Sequence, residues 1–231
     1  MEEVFRQEKK YLISMEEFYR AGGQFGALLH EDPHNGAHGY RIRSLYFDTL
    51  SDRDFHEKED GVELRRKLRL RLYDPRGDFA MLEMKQKQGM YQKKRSLRLA
   101  REDAQRVARG DYTPLAESTD PFAQECYAVL QCHTYRPKTV VEYRRKAFIA
   151  KENRIRITLD HQIAASESHL DPFDPALVLN PVLDPWLAVL EVKYNGFLLS
   201  YIREIINNCN RSELSVSKYC LARSASMHYY F

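Results

Sequence analysis

The sequence predicts an α+β domain built on an antiparallel sheet of about eight strands with helices interspersed. Short stretches alternate apolar and charged residues at the two-residue period of a strand. Several of these stretches are joined by turns too short for a parallel crossover. Helix start and stop signals stand between other strands, which places helices in the same chain.

In chain order, 4–13 reads as a strand, and Ser14 with Glu17 is a capping-box pattern that opens a helix to about Leu29. The segment 30–39 holds Pro33, Gly36 and Gly39 and reads as a loop. Strands follow at 41–48, 62–73, 79–87 and 91–99, with Asp74-Pro75-Arg76-Gly77-Asp78 as the turn between the second and third. A helix over 101–109 stops at Gly110, and another follows Asp120-Pro121 to about Cys132. Strands at 138–150 and 154–160 meet at a short Glu152-Asn153 turn. The Asp- and Pro-rich stretch 165–185 reads as irregular, 186–194 as the last strand, and 198–208 and 217–226 as closing helices. No linker or repeat divides the chain, so a single domain over 1–231 is expected.

Composition narrows the function classes. The chain has 231 residues, 43% hydrophobic and 30% charged, with a formal net charge of only +3. That balance does not suit a broadly basic nucleic-acid binder. The Met1-Glu2-Glu3 start and the lack of any long apolar run give no expectation of a secretory signal or membrane span. Cys126, Cys132, Cys209 and Cys220 form no CxxC pair and suit reduced thiols, so a cytoplasmic location is expected.

The basic charge is concentrated on particular strands. In Lys67-Leu68-Arg69-Leu70-Arg71-Leu72, the three leucines share one face and the three cations the other. The pattern recurs around Glu83, Lys85 and Lys87, around Arg154 and Arg156 with Thr158 and Asp160, and around Glu191 and Lys193. If these strands join in one antiparallel sheet the cations converge, and closing that sheet would put them inside. Unpaired buried cations are too costly for a dry core, so such an interior would hold water and a multiply charged anion. A chain of phosphates fits that requirement.

GxxxxGK, GxGxxG, HExxH and GxSxG are all absent. His30, His34 and His38 have a helical spacing of four, but Pro33 and Gly36 point to a loop instead of a metal-binding helix. Glu83 and Glu191 each precede a lysine by two residues on the same strand face. Cross-strand ion pairing would account for both. Alternatively, the carboxylates hold Mg2+ or Mn2+ while the lysines hold phosphate oxygens, the combination that phosphoryl transfer needs.

Eight segments in order resemble the VTC-type polyphosphate polymerase domain of the triphosphate tunnel metalloenzymes, the wider group that includes the CYTH phosphatases. They are Arg6-Gln7-Glu8-Lys9-Lys10-Tyr11, Ser44-Leu45-Tyr46-Phe47-Asp48, Lys67 to Tyr73, Leu82-Glu83-Met84-Lys85, Val141 to Phe148, Arg154 to Asp160, Leu190-Glu191-Val192-Lys193 and Ser217-Lys218-Tyr219. The resemblance implies an eight-stranded antiparallel closed β-barrel, a triphosphate tunnel with surrounding helices. It further implies transfer of the ATP γ-phosphate to a growing inorganic polyphosphate chain with Mn2+ or Mg2+. By the same resemblance Lys10, Arg69, Arg71, Lys85, Arg145, Arg156 and Lys218 bind phosphate, Lys87 and Lys193 add contacts, and Glu191 binds metal. It also chooses Arg145 over Arg144, which alternation alone leaves open. Where CYTH hydrolases carry Glu-x-Glu-x-Lys, this chain has Arg6-x-Glu8-x-Lys10. Arginine there weakens a metal site and adds a phosphate-binding charge, which favours synthesis over triphosphate hydrolysis. A non-catalytic polyphosphate binder is the third possibility. Nucleic acid is not an expected partner, because the Tyr and Phe residues sit mainly in apolar positions.

Overall fold

The structure, a computed structural model, describes residues 6–89, 91–209 and 217–227. Its strands are β1 (Arg6–Ser14), β2 (His30–Glu31), β3 (Tyr40–Asp48), β4 (Leu64–Leu72), β5 (Phe79–Gln88), β6 (Tyr91–Ala100), β7 (Arg136–Ala150), β8 (Ile155–Ser166), β9 (Asn180–Pro181) and β10 (Leu187–Asn195). Its helices are α1 (Met15–Leu28), α2 (Arg53–Glu59), α3 (Arg101–Ala108), α4 (Thr113–Ala116), α5 (Pro121–Cys132), α6 (Ser200–Asn207) and α7 (Lys218–Met227).

The strands form one antiparallel sheet in the order β1-β10-β8-β7-β3-β4-β5-β6, with the short β2 on β7 and the short β9 on β8. The eight long strands are the eight expected from alternation, but the closed barrel is not formed. The order starts at β1 and stops at β6, and no ladder joins those two among the described residues. The β6 sequence accounts for an edge: Tyr91 to Lys94 is exposed and includes Lys93 and Lys94. A charged, solvated edge strand resists further pairing.

The chain divides into two compact units, each assembled from separated segments. One comprises Met1–Arg41, Tyr143–Ile163 and Leu183–Ser217; the other comprises Ile42–Glu142, Ala164–Val182 and Lys218–Phe231. The core of the first gathers Ile13, Phe18, Phe25, Ile157, Leu190 and Ile202. The core of the second gathers Leu45, Leu68, Leu70, Leu72, Leu82 and Tyr112. Leu68 and Leu70 are completely buried, and each contributes roughly 1.5–3 kcal/mol relative to an exposed position. Apolar burial on one strand face is therefore what presents the charged face.

Local signals account for the helix ends. The Ser14 hydroxyl accepts from Glu17 N at 3.2 Å, and the Glu17 carboxylate accepts from Ser14 N at 2.8 Å, which completes the capping box of α1. Gly110 follows α3 with φ +87°, a left-handed conformation that glycine adopts without a Cβ penalty. Asp120 caps α5 by accepting from Phe122 N at 2.7 Å. The sequence patterns did not anticipate α2, α4, β2 or β9. All four are short, and β2 and β9 depend on a partner strand elsewhere in the chain.

Candidate phosphate-binding site

In the Ile42–Glu142 unit, β3, β4, β5 and β6 place a row of polar residues on one face. Tyr46 lies opposite Arg69, Arg69 opposite Glu83, and Glu83 opposite Ser96. Directly opposed residues share a face, so the four strands build one polar surface. Arg69 donates to Glu83 Oε2 through Nε at 2.8 Å and to the Tyr46 hydroxyl through Nη1 at 3.0 Å. Lys94 donates to Glu83 Oε1 at 2.5 Å, and Arg71 Nε lies 3.7 Å from Glu83 Oε2. Lys67, Lys85 and Lys94 form the next row.

One buried carboxylate thus stands among several cations. Burial alone would raise the Glu83 pKa, but Arg69, Arg71 and Lys94 bring it down to about 2. Burial likewise favours the neutral Tyr46 phenol, yet Arg69, Lys67 and Arg71 together lower its pKa to about 8. The Tyr46 ring lies 5.3 Å from that of Tyr219 on α7, and Lys67 Nζ is within 5.5 Å of both ring centres. Tyr219 donates to Asp48 Oδ2 at 2.5 Å, which ties α7 to the end of β3. Lys218 therefore begins a helix anchored beside Tyr46.

The unit containing Lys10 and Glu191 holds a second charged surface. Lys10 lies opposite Glu191 and Glu191 opposite Thr158; Glu8 lies opposite Lys193 and Lys193 opposite Arg156. Lys10 Nζ is 3.1 Å from Glu8 and 3.6 Å from Glu191; Lys193 pairs with Glu191 and lies 3.9 Å from Glu8. Burial opposes the Lys10 charge, but Glu191 and Glu8 hold its pKa above the ordinary lysine value. Arg145 makes a bidentate pair with Asp160 at 2.6 and 2.7 Å. Burial again opposes the charge, and Asp160 overrides it to keep the guanidinium well above its ordinary range. Arg156 donates to Asp32 at 2.8 Å and to the Tyr40 hydroxyl at 3.3 Å.

Arg69, Arg71, Glu83 and Lys85 therefore share one surface, and Lys10, Glu191 and Lys193 another, with Arg145 and Arg156 in the same unit as the latter. Lys87 lies on the face of β5 that carries Glu83, two residues beyond Lys85. Arg6 opens β1 opposite Asn195, but its side chain is outside the described residues. Arg144, the alternative to Arg145, donates to the Gly39 carbonyl at 3.3 Å. Among the described residues, no group of three His, Cys, Asp or Glu side chains is placed to hold a metal, which includes His30, His34 and His38.

Sequence reading passed over Tyr46, Lys94, Asp160, Asp32 and Thr158 as site residues. Lys94 had the alternation signal within β6, and Asp160 lay in a quoted segment. Nothing local marks Asp32 as the anion for Arg156, because that contact joins a loop to a distant strand. Glu8 was legible as the carboxylate kept in Arg6-x-Glu8-x-Lys10.

The two carboxylate positions fit a metal ion differently. Glu83 has one cation on Oε1 and two near Oε2, with no second carboxylate among the described ion pairs. Glu191 has Glu8 beside it and the buried Thr158 hydroxyl opposite, and among the described residues that hydroxyl has no hydrogen-bond partner. Hard oxygen donors in this number suit Mg2+ or Mn2+ completed by phosphate oxygens and water.

The family model for the VTC domain matches residues 5–227. A Bacillus halodurans crystal structure provisionally assigned as an adenylate cyclase is similar in fold, with TM-score 0.54, 14% identity, and coverage of 92% of this chain and 95% of that one. The Schizosaccharomyces pombe Mediator head module gives TM-score 0.45 at 8% identity over 88% of this chain and 90% of that chain, too little to support an argument. No curated protein matches the chain in sequence. No helix among the described residues is long and apolar enough to cross a membrane.

Proposed function

The chain belongs to the VTC-domain family, and from that premise we propose that it is a metal-dependent phosphotransferase that adds the ATP γ-phosphate to a growing polyphosphate chain. The observation that supports this most directly is the excess of cations around Glu83. Arg69, Arg71 and Lys94 share that one carboxylate, and the field of Arg69, Lys67 and Arg71 brings the pKa of even the buried Tyr46 phenol down to about 8. Such a surface gains most from an anion with many oxygens along its length, which a polyphosphate supplies.

Under this reading Arg69, Arg71, Lys85 and Lys87 bind phosphates on one sheet face, and Lys218 contributes from the start of α7. Lys10, Lys193, Arg145 and Arg156 bind phosphates in the other unit. Asp160 and Asp32 fix the directions of Arg145 and Arg156. Glu191 and Glu8 would hold Mn2+ or Mg2+, which when bound polarises phosphoryl oxygens and offsets their charge. Glu83 orients the cations around it. No protein nucleophile is required, because a terminal phosphate oxygen can attack directly while fixed cations stabilise the spreading charge.

Purified protein incubated with ATP and Mn2+, with products resolved by length, tests the proposal. Long phosphate chains with ADP support it. Free phosphate and ADP alone would make the protein a hydrolase. Tight polyphosphate binding without turnover would make it a binding protein.

A further inference from the structure

Glu8, Lys10, Glu191 and Lys193 alternate in sign around one patch of the β1–β10 ladder. Each lysine lies within 4 Å of both carboxylates. On the other flank of Glu191, directly opposite it in register, stands Thr158. Thr158 is 2% exposed, and its hydroxyl has no hydrogen-bond partner among the described residues. Buried hydroxyls are normally satisfied, and valine would fill this position on a strand without the penalty. An unsatisfied hydroxyl on the face of a buried carboxylate points to a bound group that both oxygens contact.

We infer that Thr158 supplies a hydroxyl ligand to the divalent-cation site of Glu191 and Glu8, and that this site accepts its cation only together with phosphate. The inference rests on the phosphotransferase reading. A divalent cation arriving alone meets Lys10 and Lys193 on the carboxylates it needs. A phosphate chain arriving alone meets Glu8 and Glu191 beside the lysines it needs. Arriving together, phosphate oxygens draw off both ammonium groups and leave the carboxylates to the metal. The Thr158 hydroxyl then faces the same ion as Glu191. Each ligand therefore raises the affinity of the other by the same factor.

The test uses the full chain and an imido-linked ATP analogue that resists transfer. Binding of Mn2+ alone is measured by electron paramagnetic resonance. Binding of the analogue, metal-free and then saturated with Mn2+, is measured by calorimetry. We expect the Mn2+-loaded analogue to bind at least about tenfold more tightly than the metal-free one, within the usual span of coupling between sites, and Mn2+ alone to bind weakly. Tight binding of Mn2+ alone, unchanged by the analogue, would overturn the coupling. Thr158→Val should abolish most of the gain from metal and leave metal-free analogue binding as it was; Thr158→Ser should keep the gain. A full gain in a folded Thr158→Val protein removes Thr158 from the site. Glu191→Gln separates the two levels: if it too leaves the gain intact, the metal assignment underneath is wrong. If Glu191→Gln abolishes the gain and Thr158→Val does not, only the role of Thr158 fails.

Discussion

Arg69 and Glu83 face each other across the β4–β5 ladder, and the guanidinium contacts the same carboxylate oxygen through Nε at 2.8 Å and Nη2 at 2.7 Å. The pair fixes Arg69 between Glu83 and the Tyr46 hydroxyl. Arg71 and Lys94 depend on the same carboxylate for compensation. Glu83 is thus the organising anion of this cationic surface.

Glu83→Gln should lower stability by about 3 kcal/mol, the lower end for breaking a buried pair, because Lys94 is substantially solvated. Polyphosphate should recover part of that loss, so the rise in melting temperature on adding it should be larger for the variant than for the parent. The carboxyl pKa lies near 2, below its ordinary 4.5. Its contribution is therefore fully present above about 4.5 and is lost as pH falls toward about 2. Equal acid sensitivity in parent and variant, by chemical denaturation, would contradict this assignment.

Tyr46 should ionise about two pH units earlier than an ordinary tyrosine, near pH 8. Its neighbour Tyr219 behaves oppositely, pushed up by burial and by the charge of Asp48. Because the folded-state pKa is the lower one, Tyr46 adds stability as pH rises from about 8 to about 10. Phenolate absorbance should show one early-titrating group, absent in Tyr46→Phe. Bound triphosphate should shift that titration upward by cancelling the field of Lys67, Arg69 and Arg71. A parent protein with no early step would exclude the concentrated field.

Asp54 has the reverse sign. Burial and the nearby Asp48 charge raise its pKa to about 7, although the Tyr135 hydroxyl donates to it at 2.7 Å. The folded state holds that proton where the unfolded state has released it, so stability should fall as pH rises from about 4 to about 7. Asn can still accept from Tyr135, and Asp54→Asn should therefore be more stable than the parent at pH 8 and nearly equal to it at pH 4. Urea midpoints at the two pH values check the prediction.

Tyr219→Phe removes the hydroxyl that links α7 to Asp48. A buried hydrogen bond to a charged group contributes about 1.5–3 kcal/mol, so a stability loss of that size is expected. Asp48 still accepts from the backbone N–H groups of Thr49, Asp54 and Phe55. The loosening should therefore be greatest in α7, where amide exchange should accelerate more than in β3. Uniform acceleration across both elements would show that Tyr219 serves global packing instead.

Much of the architecture was legible because its causes are local. Leu68, Leu70 and Leu72 had to share a face with one another and not with Lys67, Arg69 and Arg71, since a strand has a period of two. Ser14 with Glu17, and Gly110 after α3, marked helix ends through hydrogen bonds and backbone freedom that act within a few residues. That Glu83 shares a strand face with Lys85, and Glu191 with Lys193, was legible for the same reason.

Which faces are charged, which are apolar and where most long elements begin and end follow from alternation and capping, which act over a few residues. Long-range pairing, by contrast, leaves the sheet with edges at β1 and β6 among the described residues instead of closing it. Long-range pairing also brings Lys10 to Glu191, Arg145 to Asp160, Arg156 to Asp32 and the Tyr46 ring beside that of Tyr219. Register between distant strands and packing between elements set these relationships, and neither is encoded within a single short segment of chain.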